Sequence, residues 1–89
     1  MTKNSDNQDV WKFPCHLTFK AMTLAQEEVA ERVVSAIQKH RPGDYMPSIK
    51  PSRKGNYFSV SVKIYFESKD QVDAVYQDVH QVEGVKLIL

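Results

Sequence analysis

Sixteen residues, Pro42 to Tyr57, hold three of the chain's four prolines and two of its three glycines. Proline has no amide to donate to a sheet ladder, so the segment cannot form a central strand. Pro47 and Pro51 lie four apart and share the parity of Ile49. Amides of that parity can all point outward, while those of Ser48 and Lys50 pair inward. The stretch from about Met46 to Ser52 therefore reads as an edge strand, and its prolines discourage edge-to-edge pairing. Ser52-Arg53-Lys54-Gly55-Asn56 then reads as a hairpin turn, with Gly55 and Asn56 tolerant of positive φ.

The next strand has the clearest pattern in the chain. Phe58, Val60, Val62, Ile64 and Phe66 share one face; Tyr57, Ser59, Ser61, Lys63 and Tyr65 share the other. Residues 15 to 22 alternate in the same way, with Leu17, Phe19 and Ala21 opposite His16, Thr18, Lys20 and Met22. Between them, Thr23 and Gln26 have the spacing of a capping box. Glu27 and Glu28 follow in a first helical turn, where the helix dipole favours negative charge. Val29, Ala30, Val33, Val34 and Ile37 form one apolar stripe, and Lys39-His40-Arg41-Pro42-Gly43 ends the helix. Ser68 and Gln71 open a second helix striped by Val72, Val75, Tyr76 and Val79; Gly84 precedes a short last strand, Val85 to Leu89.

The order is strand, helix, strand, strand, helix, strand. Each helix has one apolar stripe, so both cover the same face of one sheet. Right-handed crossovers give an α+β, ferredoxin-like βαββαβ sandwich with a four-stranded antiparallel sheet of order 4-1-3-2. That order places the proline strand at an edge, where its backbone chemistry also puts it.

With 89 residues the chain makes one small domain, expected over 11–89, with Trp11 and Phe13 covering one end of the core. Residues 1–10 are polar and read as a disordered tail, not a secretory signal. No apolar run approaches the roughly 18 residues of a membrane span. Cys15 is the single cysteine, so no internal disulfide can form; cytoplasmic is the expected location.

Catalysis finds little support in the residues. His16, His40, His80 and Cys15 lack paired metal-ligand spacing, and Cys15 and His16, as strand neighbours, point to opposite faces. Glu27, Glu28 and Glu31 read as a solvated helix face, and Lys54-Gly55 lies in a hairpin rather than a phosphate loop. No catalytic residue, metal or cofactor is expected. The chain reads as a non-enzyme.

The sheet face away from the helices is the better candidate. Parity puts Thr18, Lys20, Ser48, Lys50, Tyr57, Ser59, Ser61, Lys63 and Tyr65 there, and Arg53 and Lys54 extend the positive charge to the hairpin tip. Lys50, Arg53, Lys54, Tyr57 and Lys63 are the expected ligand or partner contacts. Cations beside rings on such a sheet also suggest single-stranded RNA, kept as the alternative because few outward rings are present. The same face could serve a homo-oligomer.

Phe13-Pro14, Pro42-Gly43-Asp44-Tyr45, Pro47, Lys50-Pro51-Ser52, Lys54-Gly55-Asn56-Tyr57 and Ser59-Val60-Ser61-Val62 together resemble the YbeD-like family of small bacterial proteins. The resemblance covers everything after the tail; Arg53 stands where serine is expected. It implies a ferredoxin-like fold similar to amino-acid-binding regulatory (ACT-type) domains, and no established reaction. It also implies effector binding between paired subunits near the loop after the first strand. That loop, Met22-Thr23-Leu24, lacks the glycine such a site often uses for close backbone approach.

Overall fold

The computed structural model describes residues 12–89, so the expected tail and Trp11 lie outside the described residues. The elements are β1 (Cys15–Leu24), α1 (Glu27–His40), β2 (Ser48–Pro51), β3 (Tyr57–Phe66), α2 (Lys69–His80) and β4 (Val85–Ile88). The strands form one antiparallel sheet in the order β2-β3-β1-β4, the expected arrangement read from the other edge.

β3 and β1 pair along their whole length, from Cys15 opposite Phe66 to Leu24 opposite Tyr57. This register aligns the inward parities, so Phe19, Ala21, Val60, Val62, Ile64 and Phe66 are all buried on one face. Val29, Ala30, Val33, Ala36 and Ile37 of α1, and Val72, Val75 and Val79 of α2, close the core over that face. Phe13 packs against this core, as does the ring of Tyr76, edge-on to Phe19 at 5.1 Å. Burying apolar area at roughly 25 cal/mol per Å² is what holds two helices on a four-stranded sheet.

The edge position of β2 follows from its hydrogen bonding. Ser52 N donates to Tyr57 O at 2.8 Å where the hairpin closes. Antiparallel pairing alternates, so the amides of Lys50 and Ser48 turn toward β3 and the positions of Pro51, Ile49 and Pro47 face away. Both prolines thus stand where no donor is required. The paired stretch is shorter than the Met46–Ser52 expected.

One helix start departs from expectation. Thr23 is not a cap: β1 runs on to Leu24, Thr23 is wholly buried, and its hydroxyl donates to Leu24 O at 2.9 Å. Gln26 occupies the N-cap position of α1 without a side-chain cap bond. Thr23 has the inward parity of Phe19 and Ala21 and registers with Phe58 and Val85, so pairing on both sides outweighs a local cap. At α2 the local signal holds. Gln71 N donates to Ser68 Oγ at 3.4 Å, and Glu67 N donates to Gln71 Oε1 at 2.7 Å.

Polar contacts fasten the ends of these elements. Arg41 Nε donates to Tyr65 O at 2.9 Å, and the Tyr45 hydroxyl donates to Arg41 O at 2.6 Å. His40 Nε2 lies 2.8 Å from Asp78 Oδ2, joining the C-terminal ends of α1 and α2. Leu24 N donates to Gly84 O at 2.8 Å, which ties the entry of β4 to the end of β1. No helix among the described residues is long and apolar enough to cross a membrane.

Candidate binding surface

Because both helices lie on one side of the sheet, every outward-parity side chain of the strands forms the other face. The register sets their rows. Lys20 of β1 lies opposite Ser61 of β3, which lies opposite Ser48 of β2. In the next row Met22, Ser59 and Lys50 align; on the other side Thr18 lies opposite Lys63, and His16 opposite Tyr65. β4 adds Leu87 beside Met22, 47% exposed. Lys20, Lys50 and Lys63 are exposed, whereas the small side chains of Ser59 and Ser61 are half-buried between them.

The expected contact residues fall on two parts of this surface. Lys50 sits within the sheet, one row from Ser61, while Arg53 and Lys54 are exposed in the turn between β2 and β3. Tyr57 begins β3 and is 39% exposed; Lys63 lies six residues along the same strand, about 20 Å away. The five therefore trace a band along β3 rather than one compact cluster. Lys20, placed on this face by parity but left out of the expected contacts, completes the band at its centre. The His16 ring lies 4.9 Å from that of Tyr65, a neighbour relationship that only the pairing register creates.

The turn itself is well specified. Gly55 N donates to Ser52 O at 2.9 Å, Tyr57 N donates to Ser52 Oγ at 3.2 Å, and Gly55 has φ of +77°. With φ in the left-handed region and no heavy atom within 4 Å of an added Cβ, Gly55 is there for backbone conformation alone. Arg53 and Lys54 are consequently held out from the sheet by a fixed turn.

The reactive side chains are dispersed. Cys15 is a half-buried free thiol, and among the described residues no group of three or more His, Cys, Asp or Glu could hold a metal ion. Burial pushes the Tyr76 hydroxyl above its ordinary value of 10.0. Near the loop after β1, a small cleft of about 260 Å³ is lined by Leu24, Gln26, Val29, Arg32, Glu83 and Gly84, among others. The turn before β4 approaches Leu24 through its backbone, Gly84 O accepting from Leu24 N, and the Val29 side chain fills the space beside the Gly84 Cα.

The family model described as Protein of unknown function (DUF493) matches residues 8–89. A UPF0250 protein of Vibrio vulnificus (strain YJ016) is 44% identical over 91 residues, covering 100% of this chain and 99% of that protein. A UPF0250 protein of Vibrio cholerae is 47% identical over 88 residues, covering 97% and 96%. Among solved structures, protein HP0495 of H. pylori matches with a TM-score of 0.68 at 13% identity, over 89% of this chain and 85% of that one. The ACT domain from GTP pyrophosphokinase of Chlorobium tepidum matches with a TM-score of 0.61 at 15% identity, over 83% and 94%. These two likenesses show the ferredoxin-like, ACT-like fold, and none of the names carried by the UPF0250 relatives is that of an enzyme. With its family model spanning nearly the whole sequence and relatives this similar, the chain belongs to the DUF493 family, the UPF0250 or YbeD-like proteins.

Proposed function

We propose that this chain is a non-enzymatic cytoplasmic protein, regulatory or adaptor-like, that binds a protein or small ligand through the open sheet face and the basic hairpin. One observation carries the reading: the helices cover a single face of the sheet, leaving Lys50, Tyr57 and Lys63 exposed on the other, beside Arg53 and Lys54. A long, well-paired β3 makes that face a rigid platform, and rigid platforms limit the ordering cost of binding. The likeness to an ACT domain supports a regulatory role at the level of fold.

Single-stranded RNA is the alternative occupant. Recognition modules of that kind stack bases on rings near the sheet centre. Here Tyr57 and Tyr65 stand at opposite ends of β3, and serines and lysines occupy the middle.

Quantitative pull-down from the native cell tests the proposal, using wild type, a Lys50→Ala/Arg53→Ala/Lys54→Ala variant, and a Lys39→Ala/Lys69→Ala variant on the helix side. Wild type and the helix-side variant should retain the same partner, and the hairpin variant should lose it. Equal retention by all three would refute binding through this face.

A further inference from the structure

Charge is divided between the two layers. The open face and hairpin carry Lys20, Lys50, Arg53, Lys54 and Lys63, and none of the chain's eleven Asp and Glu occupies an outward register position of β1, β2 or β3. Six of those acids lie on the helices: Glu27, Glu28 and Glu31 on α1, and Asp70, Asp73 and Asp78 on α2. Arg32, Lys39 and Lys69 on the same helices offset half of these acids, so the net charge of +1 conceals a cationic face backed by a mildly acidic helix layer.

The lysines are also arranged. Ser61 has Lys20 directly across at about 5 Å, Lys63 two residues along at about 7 Å, and Lys50 diagonally placed at about 8 Å. They stand on three sides of a floor made by Ser48, Ser59 and Ser61, whose short side chains leave room between the longer ones. The ion pairs among the described residues join His40 to Asp78, Arg41 to Glu67 and Lys69 to Asp73, so none of the three lysines is paired with an acid among the described residues.

We infer that the open face is filled by an acidic surface of another protein, whose carboxylates meet Lys20, Lys50 and Lys63 around the serine floor. The inference rests on the binding reading above and adds the chemistry of the partner. Charge complementarity is the main ground: three unpaired cations with hydroxyls beneath them complement carboxylates set apart on a surface. A second copy apposed face to face would bring these same lysines together, and like charges across an interface are costly. Nucleic acid is disfavoured because one of the two outward rings of β3, Tyr65, already lies against His16. The sheet cations are moreover all lysine, without the planar fork by which arginine reads phosphates and base edges.

Amide-resolved NMR of the full chain tests this, with poly-L-glutamate as the probe at low ionic strength and oligouridylate of equal charge in parallel. Poly-L-glutamate should shift Lys20, Ser48, Lys50, Ser59, Ser61 and Lys63, and the effect should fade as salt rises. A Lys20→Ala/Lys50→Ala/Lys63→Ala variant with unchanged melting temperature should bind about tenfold more weakly. Absent shifts, or shifts confined to the helices, would overturn the inference, as would tighter binding of oligouridylate. Salt-sensitive self-association seen by light scattering would overturn it in favour of another copy's acidic helices. If it fails while the hairpin variant still loses its partner from cell extract, binding through this face stands and only the partner's chemistry is wrong.

Discussion

Gly84 packs so closely on Val29 that a β-carbon added to it would lie 2.8 Å from Val29 Cγ2 and 3.0 Å from Cγ1. Its φ of +100° is also one that side-chain-bearing residues rarely adopt. Both constraints arise where β4 is tied to β1 through Leu24, so this glycine fixes how the last strand enters the sheet.

Gly84→Ala should therefore cost about 3 kcal/mol, combining backbone strain with a clash against a buried valine. Gly55→Ala, with φ of +77° and open space around the new methyl, should cost only about 1 kcal/mol. Urea denaturation of the two variants checks the difference. Equal costs would show that contact with Val29 contributes nothing.

Tyr76 supplies a pH dependence. Its hydroxyl titrates above 10.0 in the folded chain because burial disfavours the phenolate. The folded state therefore holds this proton more tightly than the unfolded state. The stability it contributes is complete below pH 10 and is lost as pH rises through the folded value. Melting temperature followed from pH 8 to 12 should fall less steeply for Tyr76→Phe than for wild type. Parallel curves would contradict this account.

His40 and Asp78, 2.8 Å apart and each about a third exposed, join helices that are otherwise held by apolar contacts. A double-mutant cycle with His40→Ala and Asp78→Ala should show a coupling of about 0.5–1 kcal/mol. A coupling indistinguishable from zero would mean that the contact does not bind the helix ends to each other.

Some features of the fold are marked by residues close together in the sequence, and others only by residues far apart. The edge position of β2 was legible because Pro47 and Pro51 constrain backbone donors directly, and the crossover rule points to the same place. The Ser68 cap was legible because its partner, Gln71, is three residues away. Thr23 carries the same local signature, yet burial beside Phe58 and Val85 decides its fate, and those neighbours are remote in sequence. Parity assigned Lys20 and Lys63 to the open face, but parity says nothing about rows. That Lys20 faces Ser61, and that His16 meets Tyr65, depends on the β1–β3 register, and the shift between Met22 and Thr23 against β4 has no local mark at all.

The most direct test of the central claim is a lysine-labelling footprint of the protein in native cell extract, read by mass spectrometry against the isolated protein. Lys50, Lys54 and Lys63 on the open face and hairpin should become protected, while Lys39 and Lys69 on the helices should react as before. Protection confined to Lys39 and Lys69, or none at any lysine, would contradict the assignment of the sheet face as the binding surface.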